Sequence, residues 1–338
     1  MSQTQSPKRQ CGGISDPIGI LKKLFAIKEI NILIVLIALS AYIYWQKSNF
    51  LSSYNIRILL KDFSIYALLA IGETLVIITG GIDLSPGAMV ALTGFTTAYG
   101  VSHGLPIPVA IALALMLAAA VGYVHGLFVT KLGVAPFIIT LGTFIIARAA
   151  ASLPTRGTPI SITSDRFQGI AGDYLGPVPL PAVILLGFAI IAILITQYTV
   201  LGRDIYAVGG NAEAARLAGI NVDRRKIFCY MASTFLAGVA GVIVASKTML
   251  GDPGVGSNYE LTAISAVVIG GTSLMGGEGT IFGTLLGGAI MSVLTNGFIH
   301  LQIDAYWQPI CIGAVVVIAV TIDSLRRRRR ARLARIIV

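Results

Sequence analysis

Ten apolar stretches of 15 to 25 residues follow one another along this 338-residue sequence and constrain its fold more than any other feature. A helix rises 1.5 Å per residue, so about 20 apolar residues cross the ~30 Å hydrocarbon core of a bilayer. The sequence therefore predicts an all-α, polytopic membrane protein with about ten transmembrane helices. The short third, fifth and eighth stretches are candidates for broken or re-entrant helices. The ten stretches cover residues 30–45, 58–80, 86–102, 106–130, 135–152, 178–199, 227–247, 261–275, 279–300 and 306–322.

Charged residues make up only 12% of the chain, about half the usual share, which is too few to cover the surface of a soluble protein of this size. Three cysteines cannot staple so long a chain, which excludes a secreted disulfide scaffold. Neither CxxC nor HExxH spacing occurs, so we expect no metal site and no cofactor.

The distribution of the 25 Lys and Arg residues predicts the orientation in the membrane. With ten crossings and a cytoplasmic amino terminus, cytoplasmic segments hold 18 cations and outer segments hold about five. This bias follows the positive-inside rule and places both termini in the cytoplasm. The cations separate apolar runs and form no single basic face, so we expect membrane lipid and not nucleic acid beside them.

The same pattern divides the chain into segments. Two outer loops, 153–177 and 248–260, are rich in glycine and small polar residues. The predicted segments are a basic cytoplasmic tail over 1–29, a transmembrane domain over 30–323 with a cytoplasmic loop at 200–226, and an Arg-rich cytoplasmic tail over 324–338.

The cytoplasmic loop contains a predicted two-turn helix. Asn211 is a favourable N-cap, strong helix formers follow it, and Gly219 stands where a left-handed residue ends a helix. Glu213 and Arg216 are three positions apart and can pair. So short a helix needs packing against something else, since it is marginal alone. On these local features a connector that binds nothing and a docking helix both remain open.

The sequence EAARLAGI at 213–220 resembles the EAA-x3-G coupling motif of ATP-binding-cassette (ABC) importer permeases. Long segments elsewhere resemble the permeases of ribose-type sugar importers, a branch that also includes xylose and galactose systems, and together they extend over about residues 55–323. The segments that carry this resemblance are GGIDLSPGAMVALTG, APFIITLGTFIIAR, GRDIYAVGGNAEAARLAGINVDRRKI and YELTAISAVVIGGTSLMGGEGTIFGTLLGGAI.

This resemblance implies a homodimer of the chain in a bacterial or archaeal plasma membrane, with ATPase subunits in the cytoplasm. An extracytoplasmic sugar-binding protein would deliver the substrate, and the short helix would enter a cleft of the ATPase. A pairing with a sister permease remains open, as does the identity of the sugar. The predicted ATPase-coupling residues are Gly210, Asn211, Glu213, Ala214, Ala215, Arg216, Gly219 and Ile220.

Polar residues inside the apolar stretches are costly in lipid and are therefore candidates for a translocation path. Other interpretations remain open for them: Glu73 could pair with Arg148, and Asp83 could cap the helix that starts at Pro86. The predicted path residues are Glu73, Asp83, Ser85, Thr272, Ser273 and Asn296. In the second outer loop, Tyr259 and Glu260 are candidates for contact with the binding protein, although a plain loop end is equally plausible.

Gly122 with Gly126, and Gly283 with Gly287, have the small-xxx-small spacing that favours close helix packing.

No GxxxxGK[ST] motif occurs, so ATP hydrolysis must come from another chain, and we predict no catalytic residue. The main alternative function is an ion-coupled secondary sugar transporter with Glu73 or Asp83 as its proton or sodium site. A channel is a more remote alternative.

Overall fold

A computed structural model describes residues 28–304, 306–318, 320, 321 and 325. The predicted basic tail therefore lies almost entirely outside the described residues, as does nearly all of the Arg-rich tail. The helices are α1 Lys28–Gln46, α2 Ser53–Ile78, α3 Pro86–Ser102, α4 Ile107–Lys131, α5 Pro136–Ser152, α6 Asp165–Gly172, α7 Leu180–Tyr198, α8 Val200–Gly210, α9 Ala212–Leu217, α10 Val222–Thr248, α11 Tyr259–Ile269, α12 Ile281–His300 and α13 Trp307–Ile318.

Short strands and 3-10 turns complete the described elements. Two antiparallel ladders join β1 to β4 and β2 to β3. The first ladder ties the loop after α5 to the segment after α10. These elements are the 3-10 turns Ser48–Leu51 and Leu153–Thr155 and the strands β1 Ile160–Ser161, β2 Tyr174–Leu175, β3 Val178–Pro179 and β4 Leu250–Gly251.

Each of the ten predicted apolar stretches contains a helix, which confirms the all-α class. In the described part of the chain, α1, α4, α5, α7, α10 and α12 are long and apolar enough to cross a membrane. The number of crossings stays a prediction, because α11 has 11 residues and spans only about 16 Å. The eighth stretch was expected to reach residue 275, but the helix ends at Ile269 and an irregular turn follows to Thr280.

The bundle is organised around α10. This 27-residue helix packs against α2, α3 and α4, and α2 and α11 also pack against α12. Most side chains of α2 from Ser64 onward and of α3 are buried, whereas α4, α5 and α7 expose many apolar side chains. The inner helices can therefore carry polar residues that a lipid-facing helix could not accommodate.

Glycines permit the closest helix contacts. A Cβ on Gly72 of α2 would lie 2.7 Å from the Cα of Ser233 on α10, and one on Gly126 of α4 would lie 2.6 Å from the Cα of Ile227. Gly122 and Gly287 likewise face the backbone of a neighbouring helix. The packing role predicted for the small-xxx-small pairs is confirmed.

Candidate functional site: coupling helix, polar core and re-entrant loop

Helix α9 forms as the local sequence signals predicted. The Asn211 side chain accepts a hydrogen bond from the Ala214 N–H at 3.0 Å, and Gly219 adopts a left-handed conformation with φ of 84°. The N–H of Gly219 bonds to the Arg216 carbonyl, and that of Ile220 bonds to the Ala215 carbonyl, so the chain turns back at once. Both ends of this six-residue helix are therefore fixed by its own residues.

One face of α9 is buried and the opposite face is exposed. Ala215 is buried against Val208 of α8 and Val222 of α10, with Ala212 and Ile220 at the edge of this cluster. The predicted coupling residue Ala215 thus packs against the chain itself. Ala215 therefore does not face outward, and its role in coupling stays a prediction.

Leu217 is the residue that the sequence analysis missed. Its side chain is 88% exposed at the end of α9, the largest exposed fraction among the large apolar side chains that the structure describes. Around it, Arg216 lies 4.0 Å from Glu213 and 3.8 Å from Asp223, and all three side chains are at least partly exposed. Leu217 and these charged side chains together form the exposed face of α9.

Behind α9, helix α8 packs directly on the transmembrane bundle. Gly209 touches the carbonyl end of α2 at Ile78 and the backbone of Gly277. The Gly277 N–H donates to the Ile78 carbonyl at 2.9 Å, and the Tyr206 hydroxyl donates to the Gly279 carbonyl at 2.7 Å. Burial raises the pKa of Tyr206, so its hydroxyl keeps the proton that it donates. Helix α8 therefore contacts the end of α2, just before GGIDL at 80–84, and the turn at 276–279, just after GGTSL at 270–274.

A buried polar cluster lies between α2, the turn before α3 and α10. Asp83 Oδ1 accepts hydrogen bonds from the N–H of Ser85 at 2.9 Å and from its hydroxyl at 2.6 Å, and Asp83 Oδ2 accepts from Ser233 of α10 at 2.9 Å. Glu73 Oε1 accepts from the Asp83 N–H at 3.1 Å, while its Oε2 makes no hydrogen bond within the described residues. Glu73, Asp83 and Ser85 are thus brought together, all fully buried.

The structure distinguishes the alternatives for two of these residues. Arg148 does not pair with Glu73; its Nη1 instead donates to the backbone carbonyls of Pro253, Gly254 and Val255 at 3.2–3.3 Å. Asp83 does not occupy the N-cap of α3, which is Ser85, but its carboxylate holds the turn before that helix. The ion-pair interpretation of Glu73 is therefore wrong, and so is the interpretation of Asp83 as the cap of α3, because its carboxylate accepts from Ser85 and Ser233 and from no N–H of that helix.

The other predicted path residues lie apart from this cluster. Thr272 and Ser273 are buried in the turn after α11, and the Thr272 hydroxyl has no hydrogen-bond partner in the described structure. Asn296 of α12 forms two reciprocal hydrogen bonds with Asn55 of α2, at 2.9 and 3.0 Å. Their roles in translocation stay predictions, and the pairing gives Asn296 a structural role as well.

The loop after α10, predicted to be an outer loop, does not remain at the end of the bundle where α10 ends. Gly251 lies against Ala98 of α3, whereas Gly256 lies against Gly87, so the chain returns along α3 by eleven residues, about 16 Å. Gly94, between these points, contacts Gly241 of α10. The loop is therefore re-entrant, and α11 begins well inside the bundle.

The two residues predicted to meet a binding protein lie at this inner position. Tyr259 packs edge-on against Tyr66, with ring centroids 5.3 Å apart, and Glu260 is buried against Gly87. A role in contact with a binding protein stays a prediction for both, although the burial of Glu260 leaves little of its side chain for such a contact.

Helix caps, glycine contacts and re-entrant loops occur in many transporters and do not identify a family by themselves. Residues 55–320 match the family described as "Branched-chain amino acid transport system / permease component". The chain belongs to this permease family. The match covers nearly all of the described helices of this permease.

Individual relatives are also similar over most of their length. The ribose import permease protein RbsC of Haemophilus influenzae is 41% identical over 295 residues, which are 86% of this chain and 91% of that protein. RbsC of Bacillus subtilis is 39% identical, covering 90% and 94%. The xylose transport system permease protein XylH of Haemophilus influenzae is 31% identical, covering 90% and 100%. No solved structure gives a significant match to this permease.

Proposed function

We propose that this permease is the membrane subunit of an ABC importer that carries a small monosaccharide, of which D-ribose is the first candidate. The relatives named as ribose and xylose permeases support the substrate class. The chain spans nearly the full length of these relatives, so the proposal concerns the whole subunit. An extracytoplasmic binding protein delivers the sugar, and a second copy of the permease completes the path.

The observation that carries this proposal is the outward face of α9. Leu217 protrudes from a helix that is capped at both ends and held by Ala215 against α8 and α10. Its two caps and Ala215 hold this face outward in a helix that is too short to be stable alone, which supports docking of the face to a partner. The ATPase is the partner, and α8 transmits its movement to the ends of α2 and α12.

The transmission route follows from the contacts of α8. Movement of α9 displaces α8, since the two helices share the buried cluster around Val208. α8 in turn bears on Ile78 at the end of α2 and on the turn at 276–279. That turn leads directly into α12, and the GGIDL turn after α2 leads into α3. A displacement of α8 therefore reaches the inner helices without passing through the lipid-facing ones.

ATP-driven uptake in proteoliposomes tests this proposal. The permease is reconstituted with its ATPase and binding protein, and uptake of D-ribose is measured for the wild type and for Leu217→Ser. We expect the variant to lose at least 90% of uptake and to release the ATPase in pull-down, because its apolar anchor is gone. Leu132→Ser, a leucine 66% exposed at the turn after α4, is the matched control and should keep both properties.

Two results would contradict the proposal. ATP-independent uptake by the permease alone, driven by a pH or sodium gradient, would make it a secondary transporter. Normal uptake by Leu217→Ser would remove the coupling role from α9. The orientation has its own test: a Leu217→Cys variant in sealed inside-out vesicles should react with a membrane-impermeant maleimide, and in right-side-out vesicles it should not.

A further inference from the structure

The re-entrant loop places polar groups near the middle of the membrane. Gly94 meets Gly241, which is 19 residues, about 28 Å, along α10 from Val222. Gly87 lies two turns before Gly94 in α3. It is therefore level with a point about 18 Å from the start of α10, which is about 40 Å long. Gly256 and Glu260 contact Gly87 at this depth. The break between β4 and α11 is therefore close to mid-membrane.

Irregular backbone at this depth is tolerated only inside protein or beside a water-filled cavity. The side chains of Ser257 and Asn258 are exposed, and Asn258 begins α11 with φ of 65° and no side-chain cap bond. Lipid would not accept these groups, so this face points toward a polar path. Half-helices that start beside such a path mark substrate sites in several transporter folds.

Two charged side chains beneath this exposed turn have unused hydrogen-bonding atoms. Arg148 holds three loop carbonyls through Nη1, but its Nε and Nη2 atoms are buried and make no hydrogen bond among the described residues. Glu260, 8% exposed, has an equally buried and unpaired Oε2. Both side chains lie beside the same loop, Arg148 at the carbonyls of 253–255 and Glu260 next to Gly87 and Gly256, although no oxygen of Glu260 lies within ion-pair distance of Arg148. Buried polar groups left unpaired are costly, and here donors and an acceptor occur together.

We propose that Arg148 and Glu260 form a subsite for two neighbouring hydroxyl groups of a neutral sugar inside the permease. One hydroxyl oxygen accepts from the guanidinium and the other hydroxyl donates to the carboxylate, which satisfies the buried atoms of both residues. The pair has no net charge, so it favours a neutral polyol over an ionic solute. This inference rests on the proposed function, because it concerns the same path.

Alkylation of a cysteine beside the subsite provides a direct test. In the complex of the permease with its ATPase, Ser257→Cys is treated with a small maleimide, and modification at position 257 is measured by peptide mass spectrometry. We expect millimolar D-ribose to slow the modification at least threefold, and the same concentration of D-gluconate, a sugar-derived anion, to have no such effect. In Ser257→Cys carrying Glu260→Gln, this protection should disappear.

Uptake measurements separate binding from structural support. Glu260→Gln and Arg148→Lys should lower ATP-driven D-ribose uptake at least tenfold, while the amount of ATPase recovered with the permease in pull-down stays within twofold. Asp252→Asn, a matched change in the same loop, should leave uptake within twofold, because its amide oxygen can still accept from Gly254. If D-ribose gives no protection although the wild type takes it up with ATP, the subsite is wrong and the proposed function stands. Wild-type vesicles that take up no monosaccharide with ATP would instead overturn the proposed function.

Discussion

Gly209 of α8 lies so close to Ile78 of α2 that a side-chain carbon on Gly209 would overlap the Ile78 carbonyl oxygen. Gly276 and Gly277 meet the same carbonyl from the other side, both with left-handed backbone. Three glycines thus bring α8, the end of α2 and the turn before α12 into backbone contact. A larger residue at Gly209 would not fit, so this junction is the best place to test the proposed route from α9 to the bundle.

The first prediction concerns Gly209→Ala. The methyl group has no space, so α8 must move away from Ile78 at a cost of about 1–3 kcal/mol. We expect a lower midpoint of thermal unfolding for the purified protein and reduced ATP-driven uptake. Gly187→Ala on α7 is the control, since nothing lies near its added carbon and alanine is the better helix former. Equal midpoints for the two variants would show that the junction does not hold α8.

The second prediction concerns Tyr206→Phe at the same junction. This change removes the hydrogen bond to the Gly279 carbonyl and should cost about 1 kcal/mol in the free energy of unfolding. Because the folded pKa is raised above the ordinary 10.0, the wild-type contribution is complete below pH 10 and is lost as pH rises through the folded pKa. Midpoints of thermal unfolding, measured from pH 7 to pH 11, test this dependence of stability on pH. The difference between wild type and variant should be constant to about pH 10 and shrink above it; a difference that grows would contradict the assignment.

Local signals in the sequence were sufficient to predict α9 and its two ends. Asn211 and Gly219 fix the ends of this helix through hydrogen bonds and backbone geometry that involve only neighbouring residues, and both were predicted. The direction of each side chain could not be predicted in the same way. Ala215 faces inward and Leu217 outward because of where Val208 and Val222 lie, and that depends on the packing of α8 and α10.

Contacts between residues far apart in the sequence explain the other differences between the predictions and the structure. Arg148 was a plausible partner for Glu73 on composition alone, yet its hydrogen bonds reach carbonyls more than 100 residues later in the chain. Glu260 follows a polar, glycine-rich segment that resembles an outer loop, and only the return of that segment along α3 buries it. The loop can re-enter the bundle because Gly251 and Gly256 fit closely against α3. A hydropathy pattern carries no information about such a contact.

The third prediction concerns the bond between Asp83 and Ser233, which ties the GGIDL turn to α10. Ser233→Ala leaves Asp83 Oδ2 buried without its donor, so the free energy of unfolding should fall by about 1–3 kcal/mol. Ser265→Ala is the control, because that buried hydroxyl donates to the Leu261 carbonyl of its own helix, and its loss should cost less than about 1 kcal/mol. Thermal unfolding in one detergent compares them, and similar losses would show that the Asp83 contact adds nothing.

The fourth prediction decides between the structural role and the path role of Asn296. Its two reciprocal hydrogen bonds with Asn55 join α12 to α2, and such interhelical bonds in membrane proteins contribute about 0.6–2 kcal/mol. A double-mutant cycle of Asn55→Ala and Asn296→Ala, measured by unfolding, should give a coupling energy in that range. Uptake by each variant, normalised to folded protein, should stay within twofold of the wild type. A negligible coupling energy together with a tenfold loss of uptake in Asn296→Ala alone would mean that its amide acts on the passing sugar, because the packing contact would then carry no energy that could explain the loss.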